Sequence, residues 1–337
     1  MTVVRCIGVP RSALTQPGEE LERGEYLFTD DPAREDYDWL VVYDEFPRRR
    51  ALAGVAYGRF RLNCPRERTI LVTQEPTSVK YYNRVYTGQF GHLLTNRPPE
   101  AERHPRNFFG RGYYVWFVSR TYPEARAFVP PPKTKVISAV YSAKRMRHTE
   151  HFARSVLLDY LMEHVEGLDR FGKGVRPIAR KSEALDAYRY HLAVENHVAP
   201  GHWSEKVADA LLCECLPFYA GDPTLGEVLP KESFIPIPID DPAEAARIVN
   251  RAIADGEYER RLPAIREAKR LLLTRYNFRD QVIELIEARR HEPVTPVDPR
   301  RPEFLLTRKR TRLTLRGAAG DLLHHLQRLA KAALPHR

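Results

Sequence analysis

The chain has 337 residues, 43% of them hydrophobic and 29% charged, enough apolar material for real cores and enough charge to cover them, which excludes the disordered and fibrous classes. No run approaches the roughly 18 apolar residues of a membrane span, and the opening MTVVRCIGVPRSALTQ lacks the apolar stretch of a secretory signal, so a cytoplasmic protein is expected. The net charge of +10 calls for an anionic partner, and the length predicts two domains at roughly 150 residues each.

Taken in chain order, WLVVYDEF (39–46), RTILVTQEP (68–76), QFGHLLT (89–95) and GYYVWFVSR (112–120) are apolar runs rich in strand-forming residues. They are continuous rather than alternating, as strands covered on both faces of a parallel sheet are. The prolines of VPPPK (129–133) can continue neither helix nor sheet, so this stretch is predicted as the linker after a first domain spanning 1–128. Beyond it, KVISAVYS (135–142), LDRFG (168–172), YHLAVEN (190–196), LPFYAG (216–221) and SFIPIP (233–238) predict strands. FARSVLLDYLMEHV (152–165), EALDAYR (183–189), SEKVADALLCE (204–214) and DPAEAARIVNRAIAD (241–255) predict helices between them, with helical sequence continuing to about 290. Strand and helix alternate as in a doubly wound sheet, giving a second α/β domain over 134–290. Two such Rossmann-like domains are expected to hold a ligand cleft between them. Cys6, Cys64, Cys213 and Cys215 form no C-x-x-C pair and are expected to stay reduced, Cys213 and Cys215 as core filling.

Residues 291–337 form a basic extension. Eight of its last thirty residues are Lys or Arg, against Asp321 alone, and no aromatic accompanies them, which sets nucleic acid aside. Between Asp321 and Leu334, Leu322, Leu323, Leu326, Leu329, Ala330 and Ala333 recur at helical spacing. An apolar stripe following the basic RKRTRLTLR predicts a helix that holds residues 308–337 on an anionic membrane surface, the inner face in a cytoplasmic protein, or else one that packs on the protein itself.

The most specific stretch is YRYHLAVENHVAPGHWSEKVADALLCECLPFYAGDP (188–223). A strand ends in Glu195-Asn196, and Ser204 caps a helix whose first turn carries Glu205 and Lys206. A cation is misplaced at a bare helix N-terminus, so a negative group is expected there: a phosphate, unless Lys206 is merely solvated. The linked pattern Y-x-Y-x-L-A-x-E-N, S-E-K, P-x-Y-x-G-x-P and S-F-I resembles the donor domain of the glycosyltransferase family ten fucosyltransferases over roughly residues 133–245. That resemblance implies a two-domain GT-B fold, an inverting transfer from GDP-fucose and no metal. It makes Arg154 and Lys206 the pyrophosphate contacts, has Glu205 hydrogen-bond the ribose or sugar, and has Glu195 and Asn196 line the pocket. Gly172 and Gly174 would form the turn that lets the backbone approach the donor. Lys144 and Lys173 would add positive charge, while His197 and His202 flank the site where the family carries Ser or Thr and an aromatic.

In the first domain the resemblance is looser. TILVTQEP ends in Glu75 where the family carries its general base, and an inverting transfer needs one carboxylate to take the proton of the attacking hydroxyl. Where the family has a Phe-Asp pair, this chain has Phe90-Gly91. Asp36 and Asp38 form a D-x-D of the kind that holds a divalent ion in other sugar transferases, but the resemblance argues for a metal-free site. The expected partners are therefore a nucleotide-sugar donor, a glycan or glycolipid acceptor and an anionic membrane surface. The alternatives are another nucleotide sugar on the same fold, and a non-catalytic basic adaptor for which Glu75 would have no use.

Overall fold

The computed structural model describes residues 1–9, 21–47, 55–73, 75, 80–97, 104–109, 115–141 and 151–333. The chain divides into two compact units, Met1–Gly110 with Arg279–Arg337, and Arg111–Phe278.

Unit 1 opens with β1 (Thr2–Ile7), β2 (Leu21–Arg23), β3 (Tyr26–Thr29), β4 (Trp39–Tyr43), β5 (Val55–Ala56) and β6 (Arg59–Arg61). It continues with β7 (Thr69–Thr73), α1 (Arg84–Thr87), β8 (His92–Thr95) and β9 (Asn107–Phe109). Its main sheet runs β2-β3-β1-β4-β7-β8-β9, with every pair parallel except β2 with β3. β4, β7 and β8 are buried along their whole length, which is why they read as unbroken apolar runs. β1 and β3 were not expected. Arg5 interrupts β1, and the fold hides that charge by setting the guanidinium 5.4 Å from both the Tyr37 and the Phe60 ring and donating to Pro32 O at 2.9 Å.

Unit 2 contains α2 (Tyr122–Ala127), β10 (Lys135–Val140), α3 (His151–His164), β11 (Leu168–Phe171), β12 (Tyr188–Val194) and α4 (Glu205–Leu212). β13 (Leu216–Ala220), β14 (Ile235–Pro236), α5 (Pro242–Ala254) and α6 (Glu257–Thr274) complete it. Its all-parallel sheet runs β11-β10-β12-β13-β14. In order of appearance that is 2-1-3-4-5, the doubly wound arrangement whose direction reverses between first and third strands. The expected α/β class, with two doubly wound units, is thus the observed one.

The boundary differs from the proline linker. Trp116, Val118, Tyr122 and Ala125 lie in the core of unit 2, and Tyr122 Oη donates to Leu273 O at 2.7 Å. Lys133 Nζ fixes the end of the proline run to Leu185 O and Cys213 O, at 3.2 and 2.6 Å. A proline run stiffens the path of a chain without marking where a core ends. After unit 2 the chain returns to unit 1 through α7 (Phe278–Arg289), β15 (Phe304–Leu306), α8 (Arg308–Thr311) and α9 (Leu315–Ala333). β15 pairs antiparallel with β6, so the basic extension begins as a strand of unit 1.

Three expected elements change character. Of 112–120, residues 115–120 are irregular, with Phe117 N bound to Asp209 Oδ1 at 2.9 Å. Of 183–189, only a single 3-10 turn over Lys181–Ala184 forms before Tyr188 enters β12. Only Ile235–Pro236 of 233–238 joins the sheet, because Pro236 and Pro238 lack the N–H a longer ladder needs. All four cysteines are free and buried.

Candidate functional site

In unit 2 the reversal of strand order falls between β10 and β12, and the residues beyond their carboxyl ends are where a doubly wound sheet opens a ligand crevice. Glu195 directly follows β12 and is fully buried. Ser204 donates to it through N at 3.0 Å, and its hydroxyl, with one proton to give, lies 2.7 Å from both carboxylate oxygens. Ser204 Oγ in turn accepts from Lys206 N at 3.3 Å, as an N-cap does. The strand end therefore pins the start of α4.

Lys206 Nζ lies 3.1 Å from Glu195, 3.2 Å from Glu205 and 3.0 Å from Ser204 Oγ. An ammonium has three N–H donors, and all three are taken. The negative charge that the position of Lys206 demands is supplied from inside the fold. Burial works against the Lys206 charge, but the two carboxylates outweigh it and hold its pKa above the ordinary lysine value. Burial likewise opposes the Glu205 carboxylate, yet Lys206 and Lys181 bring it down to about 2.

Arg154, in the first turn of α3 after β10, is buried. Burial lowers its pKa, against the pull of Glu195, Tyr141 and Glu205. Lys181 reaches the buried Asp209 of α4 at 2.6 Å. Burial raises the Asp209 pKa and Lys181 opposes it. The end of β12, the first turn of α3 and the start of α4 thus gather Arg154, Lys206 and Lys181 around Glu195, Glu205 and Asp209. Sequence reasoning missed Lys181 and Asp209, because neither falls in a motif and their pairing spans 28 residues.

Around this centre the motif residues serve structure. A Cβ on Gly221 would lie 2.3 Å from Tyr219 Oη and 2.6 Å from Glu195 Cγ, so only glycine lets β13 end beside the buried carboxylate. Asp222 Oδ1 accepts from Gly201 N and Thr224 N at 2.9 and 2.8 Å, closing the loop before α4. His202 is buried in that loop, 5.2 Å from the ring of the half-buried His197. Asn196 is half-buried beside Glu195. Gly172 stands at φ +132°, where a Cβ would come within 2.2 Å of Tyr141 O, and Gly174 follows at φ +85°. The turn thus packs against the end of β10, with Lys173 exposed. Lys144 lies outside the described residues.

Glu75 lies just past the carboxyl end of β7 in unit 1, half-buried. Arg97, which no motif singled out, donates from Nε to Glu75 O at 2.9 Å and from Nη2 to Lys80 O at 2.7 Å, with its guanidinium 4.6 Å from the Tyr82 ring. It fixes the backbone on which Glu75 is carried. At Gly91 a Cβ would lie 2.5 Å from Glu67 O, so the aspartate of the resembled family cannot be accommodated there. Asp36 pairs with Arg34 at 2.8 Å, whereas Asp38 accepts from Val3 N at 2.8 Å and anchors β1. Among the described residues no three His, Cys, Asp or Glu side chains gather as metal ligands would.

No protein-family model matches the sequence, and no curated protein matches it. Solved structures do. An alpha1,3-fucosyltransferase with GDP-fucose is 11% identical over 81% of this chain and 83% of that one, with a TM-score of 0.45. Sucrose-phosphate synthase from Thermosynechococcus elongatus is 11% identical over 86% and 98%, at 0.47. Anabaena HepE in complex with UDP and glucose is 11% identical over 76% and 78%, at 0.44. Likeness at this level says nothing of donor or acceptor.

Proposed function

We propose that the chain is a glycosyltransferase that binds a nucleotide sugar at the carboxyl edge of the unit 2 sheet. The observation that carries this reading is the convergence of Arg154, Lys206 and Lys181 with the start of α4 at the strand-order reversal. A departing diphosphate gains negative charge as the glycosidic bond breaks, and cations fixed in place beforehand stabilise it without having to reorganise. Arg154 contributes a guanidinium, a group whose planar geometry suits phosphate, while Lys206 contributes charge from a position already fixed by Glu195 and Glu205. Asn196, Glu205 and the Gly172–Gly174 turn are assigned to the donor pocket. The donor tried first is GDP-fucose, because the 188–223 motifs resemble the fucosyltransferases; His197 and His202 make another nucleotide sugar the second reading. Glu75 is the proposed base, taking the proton of an acceptor hydroxyl in an inverting, metal-independent transfer onto a glycan or glycolipid.

Purified protein offered a panel of nucleotide sugars should be stabilised against heat by one GDP-sugar and should transfer its sugar with inversion, EDTA having no effect. Glu75→Gln should slow transfer about 10²–10⁴-fold and leave donor affinity within a few-fold. Stabilisation by no nucleotide sugar would refute the reading. An equal loss of donor affinity in Glu75→Gln would refute the base assignment alone.

We further propose that α9 rests on an anionic leaflet, the inner face of the cell membrane. Leu315, Leu322, Leu323 and Leu326 are 92, 61, 59 and 53% exposed, while His324 on the opposite side of the helix stacks on Tyr81 at 4.7 Å. The helix thus turns apolar residues outward, and exposed Lys309, Arg310 and Arg316 accompany them. Leu322→Ser with Leu326→Ser should abolish sedimentation with phosphatidylglycerol vesicles; unchanged sedimentation refutes this.

A further inference from the structure

The main sheet of unit 1 has its own reversal of strand order. Its parallel strands appear in the order second, first, third, so β1 and β4 are neighbours and the reversal lies between them. Directly beyond β4 opens a cavity of about 500 Å³ lined by Glu45, Phe46, Pro47, Arg308, Lys309 and Arg312. The chain end thus supplies cations to the crevice of a sheet laid down more than 250 residues earlier, since β15 and α8 belong to unit 1. The one carboxylate in the lining is already answered: Glu45 lies 3.1 Å from Lys80 Nζ and 3.4 Å from Arg308 Nη1. Arg312 pairs with Asp321 of α9, and Lys309 is exposed with no ion-pair partner among the described residues.

We infer that this cavity binds a sugar-sized ligand bearing a phosphate or carboxylate. Arg308 shares Glu45 with Lys80, and Arg312 is held by Asp321, which leaves Lys309 as the cation of the lining with no ion-pair partner among the described residues, so the unanswered charge is positive. Guanidinium forks suit tetrahedral and planar oxyanions alike, and Phe46 with Pro47 gives the apolar wall on which a sugar ring can lie. The volume falls within the range of small-molecule sites. The inference goes beyond the proposed transfer and stands without it, because it rests on residues of unit 1 alone.

The test is calorimetric titration of the full chain with glucose 1-phosphate, glucuronate and glucose at low salt. At least one anionic sugar should bind, with glucose at least tenfold weaker, and raising the salt to 0.5 M should weaken the binding. The exposed position of Lys309 lets Lys309→Glu fold, and this substitution should cost at least tenfold in affinity. Arg154→Ala, in unit 2, should leave the affinity unchanged. No binding of either anionic sugar, equal binding of glucose, indifference to Lys309→Glu, or loss in Arg154→Ala instead would each overturn the inference. Binding of the phosphate but not the carboxylate, or the reverse, identifies the oxyanion.

Discussion

Lys206 shows how a single residue can serve ligand and fold together. Its ammonium pairs at 3.1 Å with Glu195, a carboxylate with no exposure to solvent that Arg154 also attracts. Lys206→Ala takes one of two cations from that buried charge and should cost up to about 3–5 kcal/mol in urea unfolding, the usual cost of breaking a buried ion pair. Lys206→Ala with Glu195→Gln should recover most of it, which a role in ligand binding alone does not predict. Buried histidines act on the acid side; burial lowers His104 as well as His92 and His191. Burial lowers His92 to about 4 and His191 to about 3, with Lys181 pushing His191 the same way. Both stay neutral in the fold but take up a proton near pH 6.5 when unfolded, so the unfolded state binds more protons below that pH. Stability should be level above pH 6.5 and fall below it by about 1.4 kcal/mol per pH unit for each histidine until the folded values are reached. His191→Gln should flatten the slope; urea midpoints from pH 7 to 5 give the measurement.

Close backbone approach governs the elements. Gly91 faces Glu67 O and Arg66 O, at 2.5 and 2.6 Å from any added Cβ, and Gly91 N donates to Thr69 Oγ1 at 2.9 Å. Putting back the aspartate of the resembled family should therefore destabilise rather than restore: Gly91→Asp and Gly91→Ala should each lower stability by about 1–3 kcal/mol. Equal melting temperatures for wild type and Gly91→Ala would contradict the packing described for β8. Arg97 acts at the same scale, tying the segment that carries Glu75 to the end of β8.

Across the whole molecule the C-terminal segment is part of unit 1 before it is anything else. Leu305 is buried in the unit 1 core, Gln89 exchanges two hydrogen bonds with Leu306 at 2.7 and 2.8 Å, and Asn83 Nδ2 donates to the buried Thr311 at 3.2 Å. Deleting 308–337 should lower the melting temperature, because it removes α8 from a buried contact. Deleting only 315–337 should leave the fold within about 1–2 kcal/mol, since among the described residues it removes the ring stack on Tyr81, the Arg312–Asp321 ion pair and the packing of α9 on α1 but no buried apolar side chain, and should abolish vesicle binding. A circular-dichroism melt and a sedimentation assay on the two truncations separate these roles.

The sequence by itself determined what local chemistry decides. Unbroken apolar runs marked β4, β7, β8 and β10 as covered strands, and Ser204 and Asp241 announced their helices as caps that bond the next turn. The Glu195-Asn196 strand end and the Ser204–Lys206 turn stood out as a linked pattern before their contact was visible. What only the tertiary structure decided joins residues far apart in the chain. It answered Lys206 from Glu195 and set Lys181 on Asp209. It hid Arg5 between two rings, so that a charged strand became β1. It placed the unit boundary at Gly110, where the proline run suggested a later one. It also returned Arg308 and Thr311 to unit 1 across more than 220 residues. Periodicity and capping act over a few residues and survive in the sequence, whereas a buried charge chooses its partner by desolvation, which exists only once the chain has closed around it.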